Sequence, residues 1–161
     1  VEYDPSWATL FDQERAKLAE VLAGHFLLIE HIGSTAVPGL VAKPVIDIGL
    51  GIRRLDDAPD LFPAIESLGY IYEPGLEQSL PERRFFWKGT PLIHTCHLHL
   101  AEVDSDVLTR PIRFRDYLRR HPEAAQEYGE LKKKLAEKRV DDMEAYVADK
   151  TEFVERIMRL A

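Results

Sequence analysis

The stretch His31–Gly51, HIGSTAVPGLVAKPVIDIGLG, decides how the rest of the chain reads. It opens on a strand end, Ile29 to Ile32. A tight Gly33-Ser34-Thr35 turn follows, then a connection punctuated by Pro and Gly, then a second strand, Pro44 to Ile52. Gly33 admits a positive φ and lets backbone approach a ligand with no Cβ in the way. Ser34 and Thr35 add hydroxyls and adjacent amides, the ingredients of an anion-binding turn. Asp47 stands alone among Val45, Ile46, Ile48 and Leu50. A carboxylate in such a strand is paired, binds a cation or lies at an edge, because burying it bare costs too much.

Working outward, Ser6 reads as the N-cap of a helix from about Trp7 to Ala23, with Gly24 ending it. Phe26 to Ile32 is the first strand, and the near-continuous apolar run Pro44 to Ile52 is a strand covered on both faces. Asp56 to Leu68 reads as a helix with acids and Pro in its first turn, and Gly69 to Tyr72 as a strand. Pro74, Gly75 and Pro81 make 73–82 a loop. RRFFWK at 83–88 and LIHTCHLHLAEV at 92–103 pair as a hairpin across Gly89-Thr90-Pro91. From Asp104 the periodicity is helical: Asp106 to Leu118, a restart at His121-Pro122-Glu123, and a last segment 141–160 with Met143, Tyr146, Val147, Phe153 and Ile157 in step. These elements predict an α/β or α+β chain, a single domain over 1–161. A mixed sheet of about five strands is flanked by helices, and the C-terminal third is helical.

The composition is that of an ordinary globular chain, 45% hydrophobic and 30% charged over 161 residues. A net charge of −7 argues against a general nucleic-acid or anionic-membrane binder, while leaving room for a local basic groove. One cysteine, Cys96, makes no internal disulfide, so a reducing cytoplasm is the expected compartment. No run approaches the length of a membrane span. There is no G-x-x-x-x-G-K-[ST] loop and no G-x-G-x-x-G after a strand, so P-loop kinase and dinucleotide-binding readings have no motif.

Gly33-Ser34, twelve residues and then Asp47 in an apolar strand resembles the signature of the nucleotidyltransferase superfamily. More narrowly, HIGSTAVPGLVAKPVIDI, with Tyr3-Asp4, Trp7, HLHL at 97–100 and FRDYLRRHPEAAQEYGELKKKLA at 114–136, resembles the GrpB-like family along nearly the whole chain. The resemblance implies a nucleotidyltransferase-like fold. It also implies a site in which the Gly33-Ser34-Thr35 turn holds a triphosphate and Asp47 holds a divalent ion (Mg²⁺, Mn²⁺ or Zn²⁺). One departure is plain. The second acid of that pattern, two residues on along the strand, is replaced by Gly49.

His97 and His99 alternate with Leu98 and Leu100, so both imidazoles project from one strand face. If that strand neighbours the Asp47 strand, the three form a two-His, one-carboxylate cluster suited to Zn²⁺, Mn²⁺ or Fe²⁺. Otherwise the histidines simply hydrogen-bond Asp47, a tyrosine or backbone, or act on phosphate or as acid and base. Lys43 stands where a cation reaches a phosphate at the turn. Arg83 and Arg84 fall on opposite faces of their strand, so only one set can meet a given ligand, and Arg84 is taken for that role. Lys132 to Lys134, with Lys138 and Arg139, reads as a solvated helix face. His31 reads as a structural strand-end residue. The expected function is handling of a nucleotide or phosphorylated small molecule, with nucleotidyl transfer from an NTP as the reaction. Two alternatives stand beside it: a binding module without turnover, and a metal-dependent phosphodiesterase using the histidine pair.

Overall fold

The computed structural model describes residues 1–137 and 143–161, with the side chains of 143–147 left aside. Lys138, Arg139 and the side chains of Met143, Tyr146 and Val147 therefore lie outside the described residues. In chain order the elements are α1 (Ser6–Leu22), β1 (Leu28–Ile32), β2 (Ile46–Ile52), α2 (Phe62–Glu66), β3 (Ile71–Tyr72), β4 (Arg83–Gly89), β5 (His94–Glu102), α3 (Asp106–Arg120), α4 (Pro122–Glu137) and α5 (Met143–Leu160). The five strands form one sheet in the order β1-β2-β5-β4-β3, and β2 and β5 run parallel while the other pairs are antiparallel. This is the mixed sheet with flanking helices and a helical last third that the periodicity predicts. Among the described residues no helix is long and apolar enough to cross a membrane.

Alternation along the strands separates the two faces of the sheet. Ile46, Ile48 and Leu50 of β2, Leu98 and Leu100 of β5 and Phe86 of β4 point to one side. There they meet Leu18 and Leu22 of α1 and Ile65 of α2 in the main core. Each such fully buried side chain contributes about 1.5–3 kcal/mol. The opposite face carries Asp47, Gly49, His97 and His99. A second core, built from Val37, Leu40, Leu118, Tyr128, Phe153 and Ile157, gathers α3, α4 and α5 beside it.

Several local expectations are refined. Ser6 does not cap α1; its backbone N–H is accepted by the Asp4 carboxylate at 2.8 Å, one residue outside the Pro5 cap position. The helix expected over 56–68 is a 3₁₀ stretch, Leu55–Leu61, followed by the short α2. Pro59 and Pro63 remove the amides that a continuous α-helix would need there. β3 is only two residues long.

Candidate functional site

The parallel pairing of β2 with β5 sets Asp47 opposite His97 and Gly49 opposite His99. His99 Nε2 lies 3.1 Å from Asp47 Oδ1, and His97 Nδ1 lies 3.6 Å from the same oxygen. The three residues singled out from sequence spacing thus share one point. His94 extends the chain of groups, with its Nδ1 2.9 Å from His97 Nε2 and its ring stacked on Trp87 at 4.4 Å between centroids. Phe85 packs against both His97 and His99.

Protons follow from these distances. Arg83 Nη1 donates to His99 Nδ1 at 3.2 Å, because a guanidinium has no acceptor to offer. His99 therefore carries its proton on Nε2 and donates it to Asp47. His97 is half-buried, and desolvation, opposed by Asp47, holds its pKa below the ordinary histidine value. It is neutral at pH 7. Its Nε2 and His94 Nδ1 share one proton across 2.9 Å, one ring donating and the other accepting.

The turn at Gly33 presses directly on this cluster. Its φ is +78°, and a Cβ there would lie 2.6 Å from Asp47 Oδ2. Arg115 and Arg119, one turn apart on α3, hold the turn in place. Arg115 Nη1 donates to Glu30 Oε2 at 2.7 Å and to the His31 carbonyl at 2.9 Å, and Arg119 Nε donates to the Ala36 carbonyl at 2.9 Å. Thr35 is consumed structurally: its hydroxyl donates to the Val45 carbonyl at 3.1 Å and accepts from His31 Nε2 at 2.9 Å. His31 is stacked on Phe11, and burial pushes its pKa down to about 4, as suits a structural residue.

Ser34 has a partner that sequence reading places elsewhere. Lys132 Nζ donates to Ser34 Oγ at 2.7 Å and to the Val41 carbonyl at 3.0 Å. Lys132 is thus turned into the protein, whereas Lys133 is exposed and pairs with Glu2 at 3.6 Å. Desolvation, with Lys150 and Lys43 adding repulsion, lowers Lys132 to about 8. The signal lay in the spacing: Lys132 follows the buried Tyr128 by four residues and shares its helix face. Lys43, Lys132, Lys150, Ser34, Asp47 and His97 line one groove of about 800 Å³. Asp47 also lines a second cleft of about 740 Å³, on the side of Arg83 and His99. Arg84 does not join them. It pairs in register with Leu100, on the face away from Asp47, and its Nε reaches Glu77 at 3.4 Å. Arg83 is the arginine that faces the cluster.

The donor set does not fit a resident metal as these side chains stand. Among the described residues no group of three His, Cys, Asp or Glu is arranged to hold one. Ligation through His99 Nε2 would put a proton on Nδ1, against the donating guanidinium of Arg83. Gly49 offers no carboxylate, and a Cβ there would lie 3.1 Å from Leu108 Cδ2, so the position is used to seat α3.

An open mixed sheet with a carboxylate–histidine cluster on one face and a lysine-lined groove beside it defines an α+β protein of a particular kind. The chain belongs to the GrpB family: the family described as GrpB protein matches residues 1–160. The crystal structure of the conserved protein GrpB from Enterococcus faecalis is 37% identical, with a TM-score of 0.83 over 99% of this chain and 94% of that one. The UPF0157 protein YqkA of Bacillus subtilis is 36% identical over 94% of this chain, which spans 43% of YqkA. A protein named dephospho-CoA kinase from Mycolicibacterium paratuberculosis is 28% identical over 91% of this chain and 42% of its own length.

Proposed function

We propose that the chain binds a nucleoside triphosphate in the lysine-lined groove and transfers its nucleotidyl group to a hydroxyl acceptor. The observation that carries the reading is the meeting of two halves. Asp47, His97 and His99 converge on one carboxylate oxygen, and the same groove wall holds Ser34 and Lys132, 2.7 Å apart. Lys43, Lys132 and Lys150 offset phosphate charge. The similarity to a dephospho-CoA kinase sets a relative of this chain within a nucleotide-handling protein. This chain has no P-loop, so kinase chemistry does not come with that match.

In the transfer, an acceptor hydroxyl takes the place of His94 at the His97 Nε2 lone pair. His97 removes its proton, and Asp47 stabilises the imidazolium that forms. The acceptor oxygen bonds to the α-phosphorus, the bond to the bridging oxygen breaks, and pyrophosphate leaves. A divalent ion enters as part of the metal–nucleotide substrate. With a phosphodiester in place of the NTP and water in place of the acceptor, the same groups would act as a phosphodiesterase, an alcohol leaving instead of pyrophosphate.

The test is pyrophosphate release from NTPs with a panel of alcohols. His97→Ala is expected to lower the rate by about 10²–10⁴-fold, the worth of a general base. Equal rates in His97→Ala and wild type contradict the reading. Binding without release favours the alternative of a binding module, which Gly49, occupied with seating α3, supports.

A further inference from the structure

A cavity of about 290 Å³ lies on the far side of the Gly33–Ser34 turn, among α3, α4 and α5. Phe114, Leu118, Tyr128, Val154 and Met158 form most of its wall, with Val37 and Leu40 from the chain after the turn. It opens to solvent at one side, has the volume of several waters, and most of its wall is apolar. The polar side chains that reach it are already engaged. Arg115 is held by Glu30 and Asp116, Arg110 Nη2 pairs with Glu155 Oε1 at 2.7 Å across the α3–α5 mouth, and Ser34 accepts from Lys132. The Tyr128 hydroxyl, whose pKa burial raises, lies toward Ser34.

Ligand pockets have this character, mostly apolar with a few placed polar groups at one end. An apolar cavity of about 150 Å³ suffices to take up benzene, so the present one admits a substituted ring. A nucleobase fits poorly, since its ring nitrogens and exocyclic groups would lose water without finding partners. Ser34 belongs both to this wall and to the lysine-lined groove, so a molecule seated here emerges next to the phosphate side.

We propose that this cavity binds the apolar ring of a small phenol or aryl alcohol. The ring lies among Phe114, Tyr128 and Met158, and the hydroxyl meets Ser34 Oγ, which accepts from Lys132 and keeps its own hydrogen to donate. The binding of this molecule does not depend on the function proposed above.

The experiment uses the full chain labelled with ¹³C at the methionine methyls, the Met158 signal being assigned with Met158→Leu, and p-cresol as probe in the absence of nucleotide. A saturable shift of the Met158 methyl at millimolar p-cresol is expected. Val154→Phe, which fills the cavity with a larger side chain, should reduce that shift at least about fivefold, with Val154→Leu intermediate. A thermal melt confirms that each variant is folded. No shift in wild type, or an undiminished shift in folded Val154→Phe, overturns the proposal. So does ATP alone moving the Met158 methyl as far as p-cresol does, since a nucleobase would then be the occupant. Because the readout needs no nucleotide, failure of the NTP reading leaves it unaffected.

Discussion

At the scale of single residues, the site is an arrangement of protons as much as of atoms. Arg83 fixes the tautomer of His99, Asp47 orients His97, and His31 is kept neutral in the core beneath the turn. The last has a pH consequence whose sign is definite. His31 titrates near its ordinary value of 6.5 when unfolded but at about 4 when folded, so the unfolded chain binds the extra proton first. Its contribution to stability is therefore complete above pH 6.5 and is lost as pH falls toward 4. Urea midpoints measured from pH 4 to pH 7 should show a steeper acid loss in wild type than in His31→Gln, which keeps a donor for Thr35 but does not titrate. Parallel curves for the two proteins would contradict the buried neutral imidazole. Lys132 shows how a residue's role escapes sequence reading. A run of lysines is normally solvated, and only the four-residue step from Tyr128 marks one of them as inward.

At the scale of elements, β2 and β5 do the positioning and α3 locks it. The strand alternation that puts His97 and His99 on one face was legible in HLHL, and so was the isolation of Asp47 in an apolar strand. That the two strands are neighbours, parallel and in this register, was not. Parallel pairing joins segments some 50 positions apart through an intervening α2, β3 and β4, and no local pattern encodes it. Nor was the grip of Arg115 and Arg119 on the 31–36 turn, since their i, i+4 spacing tells that they share a face but not what they face. The glycine at 49 belongs to this scale too. Gly49→Asp would restore a carboxylate in the sequence pattern, but its Cβ meets Leu108 Cδ2 at 3.1 Å and Ile32 Cδ1 at 3.5 Å. A loss of about 1–3 kcal/mol is expected in chemical denaturation, from overpacking the α3 seat. Unchanged stability would show that α3 does not depend on that glycine.

At the scale of the whole molecule, the sheet divides the protein into two sides. One holds α1, α2 and the main core. The other carries Asp47 and the histidines, bordered by the helical layer of α3, α4 and α5 that supplies Lys132 and Lys150. The acidic net charge of −7 does not prevent a local cationic groove, because the lysines are brought together from three separate segments. The proposed function requires this groove to take the phosphates of a nucleotide beside Asp47. Isothermal titration of ATP into the wild-type protein and into Lys132→Ala tests it most directly. Losing a charge-assisted contact worth about 1.5–3 kcal/mol should weaken binding at least about tenfold in a variant whose melt shows it folded. Saturable binding to wild type with that loss in Lys132→Ala is the expected result. No saturable binding at millimolar ATP, or equal affinity in the two proteins, would contradict it.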